Sequence, residues 1–148
     1  MFSTSCHYAL QGMIYIALHS DGEKNIELSQ IASEQKIPKH FLSKILQVLV
    51  KNGLLQSMKG PTGGFRLNRP PKEITLIEII AAVDGLGVFN QCGIGFKQCN
   101  DENPCPIHDD FKVVRSKVKN LFETKTLFEL TQDIEKGDSI ISLSNPVK

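Results

Sequence analysis

Pro38-Lys39-His40-Phe41-Leu42-Ser43-Lys44-Ile45-Leu46-Gln47-Val48-Leu49-Val50-Lys51-Asn52-Gly53-Leu54-Leu55-Gln56-Ser57-Met58-Lys59-Gly60-Pro61-Thr62-Gly63-Gly64-Phe65-Arg66-Leu67 is the stretch that decides the fold. Phe41, Leu42, Ile45, Leu46, Leu49 and Val50 fall at steps of three and four, the buried stripe of a helix over 38–52. Pro38 suits its first position, because the N–H that proline lacks would be unpaired there. Asn52-Gly53 ends it. Residues 54–58 and 65–67 are strand-length pieces around the glycine and proline turn 59–64, which predicts a β-hairpin. Just upstream, Leu28, Ile31 and Ala32 predict a short helix over 27–35, and Lys36-Ile37 is a tight connection. Two short helices, a tight turn and a hairpin make a winged helix-turn-helix.

Outward from this core, Tyr8, Gly12, Tyr15, Ile16 and Leu18 predict a first helix over 5–19, closed by an Asp21-Gly22 turn. Downstream, Arg69-Pro70-Pro71 marks a boundary. Thr75 and Glu78 then have the spacing of a capping box, opening a helix through Ile79, Ile80 and Val83 that stops near Gly85. Ile107, Phe111, Val114, Val118 and Leu121 recur at alternating steps of four and three, the seam of a long helix over about 106–123. Its exposed faces are expected to carry Lys112, Arg115, Lys117 and Lys119. Such a seam needs the core or a second copy against it. Thr126 and Glu129 form a second capping box, opening a last helix that Gly137 ends. The fold class is mainly α with a small β-hairpin, with a winged domain over 1–72 and linker helix, cysteine loop and long helices over 73–137. Residues 138–148 are expected to be a flexible tail.

The chain has 148 residues, 41% hydrophobic and 22% charged, enough for one apolar core. Its net charge of +1 hides a split. Residues 1–72 hold nine Lys and Arg against four Asp and Glu (+5), and residues 73–148 hold eight against twelve (−4). A basic first half directs attention to nucleic acid. No apolar run approaches the roughly 20 residues of a membrane span, and the first 20 residues lack a signal peptide's basic start. The expected setting is cytoplasmic, with no membrane partner.

The second helix of a helix-turn-helix offers its first turns to the major groove. The outward positions here are Lys39, His40, Ser43, Lys44, Gln47 and Lys51, all able to donate to bases or phosphates. The wing adds Lys59, Gly60, Gly63, Gly64 and Arg66, with Arg69 behind it. Its glycines either let a phosphate approach the backbone or simply serve the hairpin turn.

Three of the four cysteines fall as Cys92-x6-Cys99-x5-Cys105, followed three residues later by His108. Thiolates bind soft or borderline metals, and imidazole can complete a four-ligand set. Structural zinc usually shows short Cys-x2-4-Cys pairs, absent here, whereas iron–sulfur centres accept wider spacing. Zinc, an iron–sulfur cluster and unliganded thiols all remain open on spacing alone. Cys6 is expected to be a small buried residue, His7 and His19 structural or surface residues, and Asp84 a helix-end polar group. No paired carboxylates, Ser/His/Asp set or phosphate loop is present, so no enzyme is expected.

The stretch Leu42-x-x-Ile45-Leu46-x-x-Leu49-x-x-Asn52-Gly53-Leu54, then Lys59-Gly60-Pro61-x-Gly63-Gly64-Phe65-x-Leu67, resembles the Rrf-type winged-helix transcriptional regulators of bacteria. Ala9, Ile79, Ala82-Val83-Asp84, the three clustered cysteines and Thr126-Leu127-x-Glu129-Leu130 fit the same pattern, which covers roughly residues 3–135. The likeness is closest to the iron–sulfur, IscR-like members. It implies a homodimer joined through the long helix, which becomes a dimerisation helix, and a pseudo-palindromic double-stranded DNA operator. It implies an iron–sulfur cluster on Cys92, Cys99 and Cys105, with His108 completing a [2Fe–2S] centre in preference to [4Fe–4S]. His7 from the partner subunit is the alternative fourth ligand. A cluster-free, CymR-like regulator sensing a metabolite or partner protein is the alternative function. The sequence departs from the family pattern in its six-residue first gap, in Pro38-Lys39-His40 at the reading helix and in Lys59 at the wing. These departures bear on the operator sequence.

Overall fold

A computed structural model describes residues 1–20 and 22–137. Asp21 of the expected turn and the expected tail over 138–148 lie outside the described residues. Helices α1 (Thr4–His19), α2 (Leu28–Gln35) and α3 (Lys39–Lys51) precede an antiparallel hairpin of β1 (Leu55–Met58) and β2 (Gly64–Leu67). Helices α4 (Leu76–Val83), α5 (His108–Thr124) and α6 (Leu127–Glu135) follow, with short 3-10 turns at Pro71–Glu73 and Leu86–Asn90.

The stripe of α3 is buried at Leu42, Ile45, Leu46 and Leu49, facing Ala9, Met13 and Ile16 of α1 in one core. Each such side chain contributes about 1.5–3 kcal/mol by leaving water. Two details differ from expectation. Pro38 is the N-cap and α3 starts one residue later. Phe41 is not in the stripe but 51% exposed, because it lies about a quarter turn from the centre of the buried face. The tight turn into α3 is made by Lys36 in the left-handed region (φ 55°), with the Ile37 N–H closing on the Ala32 carbonyl at 3.0 Å.

The hairpin pairs Leu55 with Leu67 and Met58 with Gly64. Ile26 adds a rung on the other edge of β2: its N–H donates to Phe65 O at 2.8 Å, and the Phe65 N–H returns to Ile26 O at 2.9 Å. Gly64 lies against this rung with φ 141°, and a Cβ there would fall 2.3 Å from Ile26 O. Only glycine fits.

The starts of α4 and α6 pair with each other. Leu76 N–H donates to Lys125 O at 3.0 Å and Leu127 N–H to Ile74 O at 2.9 Å. The Glu78 carboxylate accepts the Thr75 N–H at 3.0 Å, as the first capping box requires. The second box is only half formed. Thr126 Oγ1 accepts the Glu129 N–H at 3.3 Å, while the Glu129 carboxylate turns toward Lys125, 3.9 Å away. This pairing carries Ile74, Ile79 and Leu127 into the same core as α1 and α3, so apolar packing is continuous across residue 72.

A smaller cluster of Cys6, Ile80, Val88 and Phe89 anchors the start of the cysteine loop. Phe2 meets Phe89 and Phe122 edge-on, with ring centroids 5.8 and 5.2 Å away. Cys6 is buried as expected, and burial, followed by the nearby Asp84 charge, pushes its thiol up to about 12. Asp84 does more than end α4. It accepts the Ser3 N–H at 2.8 Å and the Ser3 hydroxyl, joining the start of α1 to the end of α4.

The seam of α5 divides. Phe111 and Val118 are half-buried, while Val114 and Leu121 stay exposed, with Val113 exposed beside them. Arg115, expected on an exposed face, is buried: Nη1 donates to Gln91 O at 2.6 Å and its head lies near the Phe111 ring. The loop carbonyl, not solvent, is its partner.

Candidate functional site

The cysteine loop runs from the Leu86–Asn90 turn to the first residue of α5. Two features bring it back on itself. Gly93 packs on the face of Phe111, where a Cβ would fall 2.8 Å from the ring, and Arg115 holds the Gln91 carbonyl. The sulfurs of Cys92, Cys99 and Cys105, up to thirteen residues apart in the chain, lie within 4.8 Å of one another. Cys92 Sγ and Cys105 Sγ are 3.5 Å apart, and the Cys105 N–H donates to Cys99 Sγ at 3.3 Å. His108 is 6% exposed, and its Nδ1 lies 3.2 Å from Cys99 Sγ. The three cysteines are therefore brought together, with His108 against one of them, and such a group suits a thiophilic metal or iron–sulfur centre.

The electrostatics favour ligation. Burial pushes the Cys92 thiol up, but backbone N–H groups of Ile94, Phe96 and Gly95, with the Cys105 thiol, outweigh it and bring Cys92 down to about 6. A thiol so poised is readily a thiolate, the form that binds metal. Cys105 is pushed the other way, by burial and by the neighbouring sulfurs. One residue of this site carried no sequence signal. Asp101 Oδ1 accepts from His108 Nε2 and from Lys112 Nζ, each at 2.8 Å, and His108 and then Lys112 hold its carboxyl down to about 2. His7, the alternative ligand, is exposed on α1 with its ring edge-on to Phe2. His19 is exposed and stacked on Tyr15.

On the other face, Lys39, His40, Lys44, Gln47 and Lys51 are exposed along α3, and Ser43 is half-buried at its edge. Phe41, whose apolar spacing assigned it to the core, joins this surface with its ring against His40. Lys59 and Gly60 are exposed at the wing tip. The other wing residues are partly committed to the fold. Gly63 and Gly64 sit against Met58 O and Ile26 O, where a Cβ would collide at 2.3 Å. Arg66 donates to Gln56 Oε1 at 3.1 Å and to Glu23 O at 3.0 Å. Arg69 pairs with Glu78 at 2.7 Å, supporting the start of α4.

Residues 2–133 match the family model of Rrf2, described as iron-dependent transcriptional regulators. The chain belongs to the Rrf2 family. It is 31% identical over 131 residues to the HTH-type transcriptional regulator IscR of Photorhabdus laumondii, covering 88% of this chain and 79% of that one. Among solved structures it is similar to CymR, the global cysteine regulator of B. subtilis (TM-score 0.73, 28% identity, 89% of this chain and 96% of that one). It is also similar to T. potens IscR (TM-score 0.71, 26% identity, 95% and 92%). As a family member the chain is a DNA-binding transcriptional regulator, not an enzyme. Among the described residues no helix is long and apolar enough to cross a membrane.

Proposed function

We propose that this regulator binds a pseudo-palindromic DNA operator as a homodimer and that an iron–sulfur cluster on its cysteine loop controls that binding. The observation that carries the reading is the convergence of Cys92, Cys99, Cys105 and His108 from separate points of a long loop. These four residues hold the cluster, as [2Fe–2S] in preference to [4Fe–4S]. When bound, the cluster supplies iron–sulfur bonds that oxidants, iron shortage or nitric oxide can break. The chain's own residues carry the consequence. Arg115 and Phe111 fix the loop to α5, and Phe89 fixes it through Phe2 to α1 and Phe122. Ordering residues 86–106 then sets the angle of α5 to the winged domain.

The exposed apolar side chains Val113, Val114 and Leu121 support α5 as the dimer contact. In such a dimer, Lys39, His40, Ser43, Lys44, Gln47 and Lys51 enter the major groove. Lys59 and Gly60 follow the backbone beside it, with Gly63, Gly64 and Arg66 shaping the wing. Half-sites about one helical turn apart make binding sensitive to the spacing of the two α3 helices.

The test is purification without oxygen, iron and sulfide counts with the visible spectrum, and operator titration of loaded and stripped protein. The reading expects broad visible absorbance, matched iron and sulfide, and different affinities for the two forms. A colourless protein with unchanged affinity after reconstitution favours the second reading, a cluster-free regulator, to which the similarity with CymR points.

A further inference from the structure

We infer that His108 serves the cysteine centre through Nδ1, and that Asp101 is the positioning residue that presents this nitrogen. The inference rests on the cysteine-centre reading above and deepens it. The two ring nitrogens of His108 have different partners. Nε2 faces Asp101 Oδ1 at 2.8 Å, and Nδ1 faces Cys99 Sγ at 3.2 Å. A carboxylate can only accept, so the Nε2 side carries the proton. In the neutral ring Nδ1 is then left with its lone pair, aimed at Cys99 Sγ. Burial holds the ring in this orientation, since His108 is 6% exposed.

The carboxylate itself stands in solvent, 72% exposed, and would swing freely without a second contact. Lys112, one turn along α5 from His108, supplies it, with Nζ 2.8 Å from the same Oδ1. Asp101 thus belongs to a carboxylate–histidine pair of the kind that orients metal-bound imidazoles and fixes their tautomer. The chain supplies it from within the loop, between Cys99 and Cys105. His7 has no carboxylate contact of this kind among those described, only the ring edge of Phe2.

The test uses the full-length, metal-free protein and Co(II) as a spectroscopic probe. Long-range 15N NMR of wild type is expected to show His108 with Nε2 protonated and Nδ1 bare. Asp101→Ala changes an exposed side chain and should leave the fold intact by circular dichroism. It is expected to shift His108 toward a mixture of tautomers and to weaken Co(II) binding about 10- to 100-fold. Asp101→Asn, whose amide can donate as well as accept and has no charge for Lys112, should also lose the single tautomer and weaken Co(II) binding. A wild-type His108 protonated at Nδ1, or an Asp101→Ala variant with unchanged tautomer and Co(II) affinity, overturns the inference. Cys99→Ala separates this from failure of the underlying site. Wild-type Co(II) binding by Cys99→Ala removes the cysteine centre and the inference with it. Loss in Cys99→Ala beside unchanged binding and tautomer in Asp101→Ala removes only the role of Asp101.

Discussion

The wing and the cysteine loop are both glycine-containing connections, yet they hold their shapes by different means. At the wing, backbone holds backbone: β1 and β2 pair in register, Ile26 adds a rung, and Gly64 fills space that admits no side chain. At the cysteine loop, side chains do the holding: three thiols, His108, Asp101 and Arg115 reach across irregular backbone. A backbone-held turn has one shape in all conditions. A loop held by thiols and an imidazole changes with whatever those groups bind, and under the proposed function that is where the signal enters.

The sharpest way to break this contrast is at the wing. Gly64→Ala places a Cβ on Ile26 O at a positive φ, and should cost about 2–4 kcal/mol in chemical denaturation. A cost below about 0.5 kcal/mol, the range of a neutral surface change, would mean the rung is not holding the wing. At the cysteine loop the opposite pattern is expected. Cys99→Ala should abolish cluster absorbance while the melting temperature of the metal-free protein stays within a few degrees, because Cys99 is not in either core cluster. Retained absorbance would mean another ligand set.

Val114→Lys tests the surface between the two regions. It should convert a dimer to monomer by sedimentation and leave the monomer folded, since Val114 is exposed. A dimer of unchanged strength would place the contact elsewhere. Lys44→Ala should weaken operator and random DNA alike and reduce the salt slope by about one. An unaltered slope would remove Lys44 from the phosphate contacts.

The smallest effect concerns pH. Burial raises the pKa of Glu78, but the Thr75 N–H and Arg69 more than offset it, so its folded value lies below the usual 4.5. A depressed carboxyl stabilises the fold above its unfolded pKa, and that contribution is lost as pH falls through the folded value. Glu78 is 37% exposed, so solvent screening discounts the ion pair. Glu78→Gln should therefore cost about 0.5–1 kcal/mol at pH 7, and the difference from wild type should shrink as pH falls below about 4.5. A difference constant down to pH 3 would show that the carboxylate's charge contributes nothing.

Periodicity was enough for the helices and the hairpin, because burial of a stripe needs only the spacing of residues within one element. It misplaced Phe41 and Arg115 for the same reason: spacing tells how far a residue is from the stripe, not what lies beside it. Phe41 sits at the stripe's edge with the His40 ring beside it and about half its surface in solvent, and Arg115 finds the Gln91 carbonyl far away in the chain. The clustered cysteines were legible as a chemical type at a suggestive spacing. Asp101 was not, since an aspartate in a polar loop has no distinguishing context until the loop folds back onto α5.

By itself the sequence determined the element order, the winged helix-turn-helix, the family and the cysteine-rich character of the loop. These are properties of local spacing and residue type, which chain connectivity preserves whatever the final packing. Only the tertiary structure decided that the three sulfurs meet, which nitrogen of His108 faces Cys99, and that the wing needs Ile26. Those are contacts between residues far apart in the chain, whose closeness depends on how the backbone folds back and which faces the core has already taken.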